Sequence, residues 1–75
     1  MTSLSHLIET IPADRSGRLP VVFNGREPRF LGYANSHAQA DTLAIINRVS
    51  ATYTSRAQVK LPDGKMSGAF FVLHG

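Results

Sequence analysis

The side chains best suited to catalysis in this sequence are three histidines, His6, His37 and His74. Histidine is the commonest metal ligand and the usual general base near neutral pH. These three lie far apart along the chain without metal-motif spacing, and the chain has no cysteine to complete a ligand set. Serines and aspartates are present, but nothing resembles a nucleophile elbow. We therefore expect no metal, no cofactor and no catalytic residues, and we predict that the protein is not an enzyme.

A second group of side chains indicates binding. In the stretch RAQVKL, polar residues alternate with apolar ones, so a β-strand would place Arg56, Gln58 and Lys60 on one face. Aromatic rings among arginines and lysines suit single-stranded nucleic acid, because bases stack on the rings while the cations neutralise phosphates. We predict a partner-binding face that comprises Arg56, Gln58, Lys60 and Phe70, joined by Arg29 and Tyr33 if the first hairpin enters the sheet in the expected sense.

Each part of this face has a structural alternative. Phe70 would be buried if the N-terminal helix covers it, since large apolar side chains are usually inside. The polar residues at 56, 58 and 60 would then be a solvated strand face that discourages edge aggregation. Arg15 and Arg18 lie in the polar segment PADRSGR. They are either part of a solvated loop or mobile cations that clamp an acidic partner.

The composition limits the class of protein. Hydrophobic residues make up 43% of the 75 residues and charged residues 17%, which is typical of a folded domain. The net charge of +3 is compatible with nucleic acid or an acidic protein surface as partner and argues against an acidic DNA mimic. The sequence has no signal-peptide pattern and no apolar run of about 20 residues. We expect a cytoplasmic protein without membrane contact.

Helical periodicity occurs twice. Leu4, Leu7, Ile8 and Ile11 recur at helical spacing and predict a helix over residues 3–11, ended by Pro12 and followed by a linker over 12–18. A second helix is predicted over 36–51, where Ser36 and Gln39 have capping-box spacing. Its predicted apolar stripe consists of Ala38, Leu43, Ile45, Ile46 and Val49.

Two hairpins flank the second helix. The first is predicted over 19–33 with a type I′ turn at Asn24-Gly25. Pro28 conflicts with that register because it has no N–H to donate, so a longer loop, a bulge or an edge position is needed. The second is predicted over 56–73 with its turn at Pro62-Asp63-Gly64.

The register of the second hairpin decides which face each phenylalanine of FFVL occupies. A two-residue loop would align Phe70 and Val72 with Ala57 and Val59, whereas a three-residue loop would align Phe71 instead. Pro62 cannot donate the hydrogen bond that closes the shorter loop, so we favour the longer one. Phe71 and Leu73 are the expected core residues.

Together these elements predict an α+β fold. We expect one small domain of residues 1–75, in the order α-ββ-α-ββ, with a four-stranded, mostly antiparallel sheet and the central helix packed on one face. A final strand that is apolar on both faces needs a second cover, either the N-terminal helix or a partner.

Two resemblances bear on function. The stretch RFLGYANSHAQADTLAIINRV is similar to the strand-to-helix corner of small α+β families, including peptidoglycan-binding SPOR domains and AP2-like DNA-binding domains. This similarity rests on turn and cap chemistry, and neither activity nor site residues carry over. In size and lack of motif the chain looks like small proteins of phages and mobile elements, such as anti-CRISPR inhibitors.

We therefore expect a non-catalytic binding protein that docks on a larger protein or ribonucleoprotein and inhibits or regulates it by occupying a surface. The alternative is a nucleic-acid-binding module that uses the basic and aromatic face. Formation of a homodimer through that face is a structural variant of the first hypothesis.

Overall fold

The computed structural model describes residues 3–75, which form two helices and a four-stranded sheet. The elements are α1 (Leu4–Thr10), β1 (Leu19–Asn24), β2 (Arg29–Ala34), α2 (His37–Ile46), β3 (Tyr53–Ala57) and β4 (Phe70–His74). The strand order is β2-β1-β4-β3, so each hairpin supplies one central and one edge strand. The α+β class is confirmed. The sheet is mixed, because β1 and β4 pair in parallel while both hairpins are antiparallel.

The two central strands are apolar on both faces. Val21 and Val22 of β1 and Phe70 and Leu73 of β4 have 0% exposure. Strands of this kind lie at the centre of a sheet with both faces covered. Their composition explains why β1 and β4 adjoin and why β2 and β3 are the edges.

Each face of the sheet has its own helix. On one face Val21, Phe71 and Leu73 pack with Ala40 and Ala44 of α2, which confirms Phe71 and Leu73 as core residues. On the other face Val22, Phe70 and Val72 pack with Ile8 of α1. The second cover that β4 needs is therefore the N-terminal helix.

The buried face of α2 differs from the predicted apolar stripe. Ala40 and Ala44 are buried, whereas Ile45 and Ile46 are 77% and 68% exposed. Small residues allow the helix backbone to approach the bulky side chains of the sheet closely, so the alanines face inward and the isoleucines are left outside. Neither helix in the described range, residues 3–75, has the length and hydropathy needed to cross a membrane.

The α2 helix also ends earlier than residue 51. After the C-cap residue Asn47, Arg48 adopts a left-handed conformation with φ of 56°. The N–H groups of Arg48 and Val49 donate to the carbonyls of Ile45 and Ala44, at 3.1 and 3.0 Å. This is the Schellman pattern, with arginine in the position that glycine usually occupies.

The first hairpin lacks the predicted two-residue turn. Neither Asn24 nor Gly25 has the positive φ that a type I′ turn requires, and Phe23 pairs with Arg29 across a longer connection that contains Pro28. The second strand of this hairpin, β2, also contains a bulge and lies at the edge of the sheet. All three solutions to the Pro28 conflict are therefore present.

The second hairpin closes through the longer loop that we favoured. The Leu61 N–H donates to the Lys65 carbonyl at 2.7 Å, and Gly64 has φ of 92°. A three-residue loop with a left-handed glycine in its last position fits a hairpin in which Pro62 cannot donate.

The expected alignment of this hairpin is nevertheless wrong. Near the loop Lys60 pairs with Met66, whereas further along Ala57 pairs with Phe70. The segment between Met66 and Phe70 thus holds one extra residue, and the register shifts by one. The shift aligns Phe70, and not Phe71, with the α1-facing side chain of Ala57.

Candidate functional site

The predicted partner-binding face is divided between the two edges of the sheet. Arg29 and Tyr33 belong to β2 and Arg56 to β3, and two central strands separate β2 from β3. The expectation that these residues lie near one another is therefore wrong. The first hairpin joins the second through β1, which, unlike β2, is apolar on both faces.

The prediction that Phe70 belongs to an exposed binding face is also wrong. Its side chain has 0% exposure and packs in the α1-facing core with Ile8 and Val22. Arg56 pairs with Phe71, so it lies on the opposite face of the sheet from Phe70. Phe70 therefore cannot contact a partner unless α1 leaves the sheet.

The remaining β3-side residues form a solvated edge. Arg56, Gln58 and Lys60 are exposed. Within residues 3–75, Arg56 and Lys60 have no carboxylate within salt-bridge distance, and no aromatic ring stacks on either residue. Their role as partner-binding residues stays a prediction.

The β2 edge carries a more organised group of side chains. The Tyr33 ring meets Phe30 edge-on, with ring centroids 5.3 Å apart and an interplanar angle of 75°. The Arg18 guanidinium carbon lies 5.7 Å from the Tyr33 ring centroid, within cation–π distance. The Tyr33 hydroxyl donates to the Pro12 carbonyl at 2.5 Å, which ties the linker to the strand.

A carboxylate in the linker fixes the arginine of this group. Arg18 Nε donates to Asp14 Oδ2 at 2.7 Å, and the Ser16 hydroxyl donates to the same oxygen at 2.5 Å. The hydrogen bond from Arg18, followed by that from Ser16, lowers the pKa of Asp14 to about 2. Arg18 is therefore held by its own loop, whereas mobile cations were one of the two alternatives expected for Arg15 and Arg18.

Further positive charge is present in the linker, in the loop of the first hairpin and at the start of β2. Arg15, Arg26 and Arg29 are exposed, and Arg18–Asp14 is the one salt bridge within residues 3–75. We use the name β2-edge surface for Arg15, Arg18, Arg29, Phe30 and Tyr33. Phe30, Tyr33 and Arg18 lie together on the α1-facing side, and Arg15 adds positive charge in the linker. Arg29 pairs with Phe23, so it adds positive charge to the α2-facing side of the same strand, whose outer edge is unpaired.

Phe30 is the member that the sequence analysis missed. In a regular strand, Phe30 and Tyr33 would point to opposite faces because they are three residues apart. The bulge at Leu31 shifts the register by one and brings both rings to the α1-facing side. The glycine at 32, with φ of 139°, was the available signal of a bulge.

The histidines occupy separate environments. His37 meets Phe71 edge-on at 5.0 Å, and His6 Nδ1 lies 2.6 Å from the Ser3 hydroxyl. His74 stacks on Tyr53 at 4.2 Å, and its Nε2 lies 2.7 Å from the Ser55 hydroxyl. In the described part of the chain, no three His, Asp or Glu residues cluster as metal ligands would.

The Ser55–His74 contact is the nearest approach to a catalytic arrangement. A serine nucleophile requires its histidine to be oriented by a third group, and an oxyanion must be stabilised nearby. Among residues 3–75, no carboxylate hydrogen-bonds to His74. The pair can exchange a proton, but it lacks the remaining parts of an acyl-transfer site.

Among residues 3–75, open clefts lie on both sides of the sheet. One of about 460 Å³ lies between α1, the linker and the second hairpin, and is lined mainly by apolar side chains such as Ile8, Leu61 and Phe70. The other, of about 430 Å³, lies between α2 and β3 beside Asp41 and Thr54. In the first cleft Asp14 pairs with Arg18, and in the second Asp41 accepts a hydrogen bond from the Thr54 hydroxyl.

Comparison of the chain with protein-family models, with curated proteins and with solved structures finds no significant match.

Proposed function

We propose that this protein is a non-catalytic binding module that docks through its β2-edge surface on an acidic surface of a larger protein or ribonucleoprotein. By occupying that surface it would inhibit or regulate its partner. The observation that carries the proposal is the contact of Arg18 and Phe30 with the ring of Tyr33.

The composition of this surface is that of a protein interface. Tyrosine and arginine are enriched among the residues that dominate binding energy, and they act best when surrounding contacts exclude water. Phe30 is 40% exposed, which leaves part of its ring free for a partner.

Preorganisation strengthens the proposal. Tyr33 is held by Pro12 and Arg18 by Asp14, so binding would cost little side-chain entropy. The long-range attraction would come from Arg15 and Arg29, which have no salt-bridge partner within residues 3–75. An acidic partner would therefore be recognised first by charge and then by the aromatic contact.

The same geometry favours a protein over nucleic acid. A base needs an open ring face on which to stack. Arg18 covers one face of Tyr33, and Phe30 meets the ring edge-on. Nucleic-acid binding is kept as an outcome of the test below.

The test is capture of partners from the source cell with tagged protein, with and without nuclease. The variant Arg15→Glu/Arg29→Glu is compared with Lys60→Glu/Lys65→Glu, which makes the same charge change on the side of the sheet that carries β3. We expect a stoichiometric protein that survives nuclease, is lost with the first variant and is retained with the second.

Three results would contradict this proposal. Retention of the partner by Arg15→Glu/Arg29→Glu, with folding verified by circular dichroism, would exclude the β2-edge surface as the binding site. Loss only with the lysine variant would move binding to the β3 side. Recovery of nucleic acid alone, released at moderate salt, would favour the nucleic-acid alternative.

A further inference from the structure

The outer edge of β3 is the second unpaired edge of the sheet, and its side chains form a self-complementary pattern. β3 runs from Tyr53 to Ala57, and β4 pairs with one side of it. The other side presents free N–H and C=O groups, which readily pair with another strand.

We infer that β3 pairs with β3 of a second copy of this chain, antiparallel and centred on Ser55, to give a continuous eight-stranded sheet. In this register Arg56 of each copy lies opposite Thr54 of the other, and Tyr53 lies opposite Ala57. The interface is isologous, as a two-fold axis requires.

Charge complementarity favours a second copy of this chain as the partner of β3. The Thr54 hydroxyl donates to Asp41 Oδ1 at 2.5 Å, so the carboxylate of α2 is held beside the strand on the α2-facing side. Arg56 lies on the same side, because it pairs with Phe71 while Thr54 pairs with Leu73. Opposing Arg56 to Thr54 of the second copy therefore places each guanidinium next to the Asp41 carboxylate of the other copy.

The side chains on the α1-facing side fit as well. Tyr53 is 60% exposed although it stacks on His74, and it lies opposite the small side chain of Ala57 in this register. A large residue opposite a small one avoids a clash and covers the exposed ring. A register centred on Arg56 would instead oppose the two arginines to each other, which is destabilising.

This inference does not depend on the proposed function. Self-pairing uses β3, whereas the β2-edge surface lies at the other edge of the sheet. With a strand spacing of about 4.8 Å, the two β2 edges of the dimer would stand roughly 34 Å apart and both would be free.

The test is sedimentation velocity over a wide range of protein concentrations. We expect reversible dimers, and the variant Arg56→Glu should raise the dimer dissociation constant by about tenfold or more, because it places two carboxylates together. The double variant Asp41→Lys/Arg56→Glu reverses both charges and should restore most of the affinity. Lys60→Glu, which lies outside the paired segment, is the matched control and should leave the dissociation constant unchanged.

Hydrogen exchange distinguishes this edge from other interfaces. The amides of Tyr53–Ala57 that point away from β4 should become protected as concentration rises. A strict monomer at every concentration overturns the inference. So does a dimer whose dissociation constant is insensitive to Arg56→Glu, or one that the double variant fails to restore while circular dichroism shows it folded.

Discussion

Asp14 is the residue through which the linker holds the β2-edge surface in place. Its hydrogen bond from Arg18 lowers its pKa in the folded protein to about 2, below the ordinary value of 3.8. Because the folded value is the lower one, the contact contributes stability above the ordinary pKa, and this contribution is lost as the pH falls towards about 2. The Arg18–Tyr33 contact should therefore persist at mildly acidic pH.

We expect the NMR titration of the Asp14 carboxyl carbon to have its midpoint near pH 2, and in Arg18→Ala to move towards 3.8. Lys65→Ala removes a distant positive charge and should leave the midpoint in place. A midpoint near 3.8 in the unmodified protein would mean that the salt bridge does not form in solution.

Arg48 has a backbone conformation that is unfavourable for a residue with a Cβ. Its φ of 56° lies in the left-handed region, which an L-residue with a Cβ adopts at a cost of about 1–2 kcal/mol. Glycine avoids this cost but loses more entropy on folding. Arg48→Gly should therefore raise the free energy of unfolding by about 0.5–1 kcal/mol in urea denaturation.

Arg48→Ala is the control for this substitution, because it removes the charge and the long side chain but keeps the Cβ. It should not stabilise the protein. Equal effects of Gly and Ala would attribute any gain to the lost arginine side chain and not to the backbone.

At the scale of elements, the bulge in β2 positions both the Phe30–Tyr33 contact and the contact of the strand with α2. Gly32 has φ of 139°, and a Cβ built there would lie 3.3 Å from Leu43 Cδ1. Gly32→Ala should lower the free energy of unfolding by about 1–3 kcal/mol, because it combines an unfavourable φ with a tight contact. Urea denaturation monitored by circular dichroism measures the change.

Gly68→Ala makes the same chemical change where a Cβ would meet nothing within 4 Å and φ is not in the left-handed region. It should be close to neutral, within about 0.5 kcal/mol. If both variants were equally destabilised, the special geometry assigned to Gly32 would be incorrect.

Local signals predicted the elements better than their junctions. The cap at Ser36 is formed as its spacing indicated, since the Gln39 N–H donates to the Ser36 hydroxyl at 3.2 Å. The inward face of α2 was missed because a hydropathy pattern ranks isoleucine above alanine, whereas close packing on Phe71 favours the smaller residue. A bulge was one of the alternatives expected for the first hairpin, but the positions of the bulges were not predicted, since they are set by pairing with the neighbouring strand.

At the scale of the whole molecule, the protein consists of a sheet with one helix on each face. Such a small domain has a total stability of only about 4–11 kcal/mol. The α1-facing core rests on a helix of 7 residues, which contributes Ile8 as its buried residue. Integrity of this layer should therefore depend strongly on that one side chain.

Ile8→Ala should lower the free energy of unfolding by about 2–4 kcal/mol, because it leaves a cavity over Phe70 and Val22. Ile45→Ala makes the same change at a side chain that is 77% exposed and should alter stability by less than about 0.5 kcal/mol. Chemical denaturation measures both. A small effect of Ile8→Ala would show that α1 is not a required cover.

The order of the strands could not be obtained from the sequence pattern. Alternation and turn residues specify pairing within each hairpin, but they do not say which strand of one hairpin meets which strand of the other. The parallel β1–β4 pairing joins segments about 50 residues apart and depends on burial of both their faces. Only this pairing shows that Arg29 and Tyr33 lie at one edge of the sheet and Arg56 at the other.

The two edges of the sheet differ in one more respect that can be observed directly. The chain has no tryptophan and two tyrosines, Tyr33 on β2 and Tyr53 on β3. Arg18 lies over one ring, and His74 stacks on the other. With either tyrosine replaced by phenylalanine, ultraviolet absorption and intrinsic fluorescence would report mainly on the remaining edge. Each edge of the sheet therefore has its own intrinsic optical probe. Tyr33 would report docking at the β2 edge and Tyr53 would report self-association at β3, without an added label.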